Sequence, residues 1–568
     1  MNSLAANRMD AISIEVVRTR LEAIVEEMGA TMLRTAHSSI FYESRDFSVA
    51  LLNRAGDLVA MGQYIPHHQG GMQAALKSII EVKGYDGMRP GDIFLTNDAY
   101  RGGTHTADFN LFMPIFVEGE LIMFCGATAH QIDIGGMVLG AYCVGATSVY
   151  QEGIRFPQIK AGEQGEFFDD FMRTFQINVR MPKQQRGDLK AMLAALKVGA
   201  KNVPGVIIQH GTAQFGRIVA DILDMSERRA RVEIDRIPDG VYRYTDYIDH
   251  DGVNDRVYKI ECAMMIEGSN VTIDFTGTDR QADGFINASY PNTLAACYAA
   301  FILFLDPAIP RNSGFFRPIR VIAPEGTLVH PVSPAPIGGS TTEVGGRVYD
   351  VVIGCLSTAW PEKALGTWSM MWLGVFIAGT HPDTGQLFVE TVLDGLGTGG
   401  GARINSDGLN ATCIAASNVL IPNVEIEEEF FPVRFLRREI KADTGGPGRF
   451  RGGCALETEI ELLADCDSTI LGSRFKNAPP QGIHGGKHGG PSIIYLIASD
   501  GTVTDFPPKI TGVRFKKGDR LVMRPCGGGG LGDPARRERW RIEQDLRLGY
   551  LTPEAAIRDY GYKRDAAE

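Results

Sequence analysis

A chain of 568 residues, 44% hydrophobic and 22% charged, is longer than one core supports and has the composition of an ordinary globular protein, so about two to four packed domains are expected. A net charge of −11 with no basic stripe argues against nucleic acid or an anionic membrane surface as the main partner. Nine dispersed cysteines, odd in number and without a C-x-x-C pair, argue against a disulfide framework and for reduced thiols, hence a cytoplasmic protein.

Met1 to Asp10 carries no charged-then-apolar targeting signal. The first element is a helix over Asp10 to Thr35, with Val17, Leu21, Ile24, Val25, Met28 and Met32 at three- and four-residue spacing. Phe47 to Val59 reads as a hairpin turning at Asn53-Arg54-Ala55-Gly56, with Asp46 just before its first strand. On residue type alone, Asp46 is a turn or cap residue. His67 and His68 follow a proline and precede a short helix over Met72 to Val82. Adjacent side chains diverge in any regular element, so the two would not share one ion, though one of them would line a site entrance.

Asn97 to Gly136 is the stretch on which the chain is organised. A Gly-rich loop delivers His105 and Asp108. Two apolar runs, Leu111 to Val117 and Leu121 to Cys125, flank Glu118-Gly119-Glu120, and His130 and Asp133 follow. This pattern reads as a β-hairpin. With Val117 opposite Leu121 across a three-residue turn, Asp108 stands opposite His130, about 4.5–5.5 Å away at Cβ. A two-residue turn would move Asp108 to the other face. Two imidazoles and a carboxylate suit a divalent ion such as zinc or manganese, and three protein ligands leave a position open for chemistry. The plain alternative is a loop-rich hairpin of internally satisfied polar residues.

Gly140 to Lys160 is a loop-rich segment expected beside that hairpin. Helices are expected at Asp188 to Lys201 and Val206 to Arg231. From about residue 238 the texture changes to short strands, including a hairpin of Val257 to Met265 with Asn270 to Phe275. Leu294 to Leu305, the longest uncharged apolar run, falls far short of the ~20 residues that span a bilayer and reads as buried core. Ser340 to Glu343 before Gly345-Gly346 is either a substrate loop or a helix start. The Gly runs at 397–401, 485–486 and 527–530 lack a following Lys-Ser/Thr, so they mark close backbone packing and not phosphate loops. Strands recur near 430–439, 455–463, 469–474 and 492–498, and a helical tail (534–562) would dock through Trp540, Ile542, Leu546 and Leu548. The expected fold is α+β: a helix-rich part (1–237) bearing the hairpin, a mixed substrate-side domain (238–424), a β-rich domain (425–533) and the tail (534–568).

The run N-D-x-Y-x-G-G-T-H-x-x-D followed by A-H-x-x-D-I-G-G resembles the hydantoinase B / oxoprolinase family. The resemblance extends to Tyr150-Gln151-Glu152-Gly153, Asn178-Val179-Arg180, Gly445 to Gly448 and Gly527 to Asp533. Ala99 stands where the family usually has Pro, and Gln131 where a second His is common. The resemblance implies a metal held by His105, Asp108 and His130, with Asp46 as a further ligand; Asp133, close behind His130, is expected to orient these ligands or to act as a base for water. It further implies a hetero-oligomer with an ATP-binding hydantoinase A-like subunit that phosphorylates a cyclic amide, whose ring this chain then opens. A ketone carboxylase subunit is the near alternative. A metal-stabilised scaffold subunit without chemistry of its own is the alternative of another class.

Overall fold

The computed structural model describes residues 11–368, 372–475 and 477–563. The expected hairpin is the middle of a seven-stranded sheet with the order Leu58–Met61, Phe47–Asn53, Glu120–His130, Asp108–Val117, Ile93–Thr96, Ile159–Glu163, Glu166–Phe167. Alternation decides its faces. Val49, Leu51, Leu111, Met113, Met123 and Cys125 pack into the main core, where the helices Ala11–Thr35 and Pro182–His210 lie. Ala50, Leu52, Phe112 and Phe124 face Met72, Leu76 and Ile79 of the helix His68–Lys83. Each of those three helix side chains is fully buried, worth about 1.5–3 kcal/mol of transfer free energy. Asp108 and His130 share the parity of Phe112 and Phe124, so they emerge on the face that this helix covers.

Asp108 pairs with His130, as expected, but by another route. Only Glu118 and Gly119 form the turn, at φ 53° and 84°, and Val117 pairs with Glu120. Two positive φ values match the twist of a two-residue hairpin turn. A bulge between Ile115 and Phe116 then takes up one residue and restores the register.

The helix His68–Lys83 starts four residues earlier than expected and contains Gly70 and Gly71. A Cβ on Gly70 would lie 2.9 Å from the Pro291 carbonyl oxygen, so glycine lets the helix press against the start of Tyr290–Phe304. The expected break between helices near 202–205 does not occur. Pro182–His210 continues through Pro204, and the chain turns at Gly211 into Thr212–Ile234. By length and apolarity Pro182–His210 could cross a bilayer; half of that stretch is buried in the protein.

A second sheet runs Ile319–Ile322, Asn270–Asp274, Val257–Glu267, Gly240–Asp249. Gly346–Ala359 packs on its last two strands, entered through a π-helical turn at Thr341–Gly345, so the Ser340 segment is a helix start. One continuous core joins these parts, from Val17 to Leu471. Two further sheets complete the chain, with the orders Leu387–Val392, Gly374–Thr380, Cys466–Leu471, Lys509–Phe515 and Val433–Ile440, Leu456–Leu462, Arg520–Arg524, Ile493–Ile497, Val503–Asp505. The Gly runs meet backbone to backbone: a Cβ on Gly528 would lie 2.0 Å from the Gly400 carbonyl oxygen. In the tail, Ile542 is buried, but Trp540 and Leu548 are 55% and 50% exposed. Asp545, bonded to Arg451 and Arg537, anchors the tail in place of those two side chains.

Candidate metal centre

The hairpin brings His105, Asp108 and His130 together, with donor atoms within 4.8 Å of one another and all three residues buried. The His105 Nε2 lies 3.0 Å from Asp108 Oδ1 and 3.2 Å from His130 Nδ1, and His130 Nδ1 lies 3.4 Å from Asp108 Oδ1. The other His105 nitrogen, Nδ1, lies 3.1 Å from the Gly338 carbonyl oxygen. A carbonyl only accepts, so Nδ1 carries a hydrogen, and in the neutral ring the Nε2 lone pair then faces Asp108. A lone pair, an anionic oxygen and a second imidazole nitrogen thus converge on one point. That is the donor set of a cation site, with neutral nitrogen and anionic oxygen suited to a borderline divalent ion.

Thr104 donates its hydroxyl to Asp108 Oδ2, and His68 Nε2 stands 3.6 Å from the same oxygen while its Nδ1 meets Ser48 Oγ at 3.1 Å. Burial opposes the charged form of Asp108, but a protonated His105, whose Nε2 then carries a hydrogen toward Oδ1, prevails and holds the carboxyl well below its ordinary range. Burial likewise pulls His105 down, and Asp108 outweighs it for a net upward shift.

Asp46 lines the same cavity. Its N–H donates to the Ile40 carbonyl at 3.0 Å and its own carbonyl accepts from the His130 N–H at 3.2 Å, which fixes the strand start against the hairpin end. Arg45, at φ 58°, makes the turn that presents it. Burial raises the Asp46 carboxyl, against the pull of His130 and His68.

His67 also lines the cavity, fully buried, and among the described residues neither of its ring nitrogens has a hydrogen-bond partner. Burial pushes its imidazole down to about 3, so it is neutral. The cavity volume is about 50 Å³, and Tyr142, Trp372, Leu393 and Thr341 also line it. The Tyr142 ring stacks on both imidazoles, 5.6 Å from His105 and 5.4 Å from His130, and meets Trp372 edge-on at 5.8 Å.

Asp133 lies outside this wall. Its carboxylate accepts from the Arg180 backbone N–H at 2.7 Å and from the Arg180 guanidinium at 2.6 Å, and its carbonyl from Gln185. Gln131 is buried and donates to the Ala129 carbonyl at 3.3 Å. Tyr142 and Trp372 gave no signal by spacing. The only hint was the expectation that the loop-rich segment from Gly140 packs beside the hairpin.

Residues 10–534 match the family described as hydantoinase B/oxoprolinase. The chain is 30% identical to the beta subunit of the caprolactamase of Pseudomonas jessenii, over 98% of this chain and 96% of that protein. It is also 30% identical to the B component of a putative D-/L-hydantoinase from a Pseudomonas species, over 98% of this chain and 95% of the other. Among solved structures, it superposes on the ATP-dependent caprolactamase of Pseudomonas jessenii with a TM-score of 0.93 at 29% identity, covering 99% and 97% of the two chains. A nucleotide-free acetone carboxylase shares the fold at a TM-score of 0.92 and 23% identity, covering 100% of this chain and 81% of the other.

Proposed function

The chain belongs to the hydantoinase B/oxoprolinase family, and from that premise we propose that it is the metal-dependent hydrolytic subunit of an ATP-dependent cyclic amidohydrolase. Its substrate is a lactam, hydantoin or oxoproline-type ring, activated by a separate ATP-using subunit of hydantoinase A type within a hetero-oligomer. The observation that carries this reading is the convergence of His105, Asp108 and His130 on one buried point. The relatives named as components of a caprolactamase and a hydantoinase support the substrate class and the need for a partner.

In this reading His105, Asp108 and His130 hold one divalent transition ion, zinc or manganese, with Asp46 as a fourth ligand. When bound, such an ion supplies Lewis acidity and lowers the pKa of a water toward ~7. The residues of the chain do the rest. Thr104 keeps Asp108 oriented, and Ser48 keeps His68 turned to the same carboxylate. Tyr142 covers the two imidazoles and, with Trp372 and Leu393, excludes bulk water. Neutral His67 offers one N–H and one lone pair to the amide or to the attacking water. The Arg180 pairing supports Asp133 as an orienter of the hairpin end and not as the base.

The test is ring opening by this chain reconstituted with an ATP-using partner of hydantoinase A type, over a panel of lactams, hydantoins and oxoproline, before and after chelation and metal return. ATP-dependent opening of at least one ring, lost on chelation and regained with zinc or manganese, is expected. Bicarbonate-dependent carboxylation of a ketone with no ring opened would transfer the chain to the carboxylase class.

A further inference from the structure

Glu152 belongs to no proposed ligand set, yet its carboxylate is buried at the back of the metal centre. Its Oε1 accepts from the backbone N–H groups of Ile337, at 2.8 Å, and Gly338, at 2.6 Å. Its Oε2 accepts from the Thr106 hydroxyl at 3.0 Å. One carboxylate therefore grips two segments distant in sequence. Thr106 follows His105 directly, and Gly338 is the residue whose carbonyl receives the His105 Nδ1 hydrogen.

The rest of the neighbourhood holds Glu152 itself in place. The turn Val149–Gln151 is closed by Ser148 and Gln151, and the Val149 N–H donates to the Pro334 carbonyl at 2.9 Å. Ala99, Val149 and Ile337 form a small apolar cluster that sets the 337–338 segment beside the loop carrying His105. The Asn97 amide donates to the Thr106 carbonyl at 2.7 Å.

We propose that Glu152 is a positioning residue for His105: by fixing Ile337, Gly338 and Thr106 together, it aims the Gly338 carbonyl at Nδ1 and so turns Nε2 toward Asp108 and His130. An imidazole ligand needs its second nitrogen anchored for its lone pair to point steadily at one place. Here the anchor is a carbonyl on a chain segment from elsewhere, and Glu152 is the side chain that bonds that segment to the residue next to His105. This inference rests on the reading of His105 as a metal ligand.

The geometry separates reach from charge. In Glu152→Gln the amide oxygen can accept both backbone N–H groups while the amide nitrogen donates to Thr106 Oγ1, so the bridge survives without charge. In Glu152→Asp the charge survives, but a side chain one methylene shorter cannot span both segments. The experiment measures zinc affinity of the full chain by competition with a chromogenic chelator, and thermal melting of each metal-free protein. Glu152→Asp is expected to lose about 10–100-fold in affinity while Glu152→Gln stays within about threefold of the parent, with all three metal-free proteins melting alike. Equal affinity in Glu152→Asp and the parent, or an equal loss in both variants, would overturn the proposal. So would a loss in Glu152→Asp matched by a collapse of its metal-free melting temperature, because Glu152 would then only hold the loop. A parent chain that binds no zinc would instead remove the ligand reading on which the inference stands.

Discussion

Replacing Tyr142 separates the ring from its hydroxyl. The ring is buried and touches four others: His105, His130, Trp372 and Phe376, with centroids 5.4–5.8 Å away. Tyr142→Ala deletes that ring from a site that cannot collapse, since the imidazoles are tied to Gly338 and Asp108 and the indole to the Val392 carbonyl. The cost should be about 3–5 kcal/mol of folding stability, the range for deleting a buried aromatic, which already contains the ring-stacking energy. Tyr142→Phe keeps every ring contact and gives up one hydroxyl, about 0.5–1.5 kcal/mol. Urea unfolding of the metal-free proteins measures both values, and release of zinc to excess chelator measures the functional consequence. Release should be about tenfold faster or more in Tyr142→Ala and near the parent rate in Tyr142→Phe. Equal losses in the two variants, or release unchanged in Tyr142→Ala, would refute the role of the ring as cover for the imidazoles.

Lys509 and Glu343 form a fully buried pair at 3.0 Å that ties the Thr341–Gly345 turn to the strand Lys509–Phe515. Lys509→Met should cost about 3–5 kcal/mol in chemical denaturation by stranding the carboxylate, and adding Glu343→Leu should recover part of it; no recovery would refute the pairing as the cause. His67→Leu should leave folding stability unchanged or raise it by about 1–3 kcal/mol, because two unbonded buried nitrogens are removed, while KM of the reconstituted enzyme rises. An unchanged KM would take His67 out of the substrate's reach. Burial pushes the Glu427 carboxyl up to about 8, so the folded protein retains a proton that the unfolded chain releases near pH ~4.3. Its contribution to stability is therefore full at low pH and lost as pH rises from ~4.3 to about 8, by a few kcal/mol. Glu427→Gln should flatten the stability profile across that window, and parallel profiles for parent and variant would contradict the assignment.

The hairpin was legible because two continuous apolar runs around a Gly-containing turn dictate it, and because the parity of Phe112 and Phe124 carries Asp108 and His130 to one face. Its register was legible only by compensation, since the shorter turn and the bulge at Ile115 and Phe116 cancel. The chain between 201 and 206 read as a gap between two helices, yet one helix runs through Pro204 there. The start of the helix Gly346–Ala359 stood open between a substrate loop and a helix start, because Gly345-Gly346 has low helix propensity, which packing on the second sheet overrides. Trp540 read as a docking residue from its size, but ion pairs at Asp545 seat the tail. Tyr142, Trp372 and the Glu152 bridge follow from long-range chain crossings, and no local spacing encodes those.

Metal content of the purified chain and of a His105→Ala/His130→Ala variant, with circular dichroism on the same samples, tests the central claim most directly. The parent should carry about one zinc or manganese ion per chain and the variant essentially none, with both folded. Full metal content in the folded variant would contradict the account.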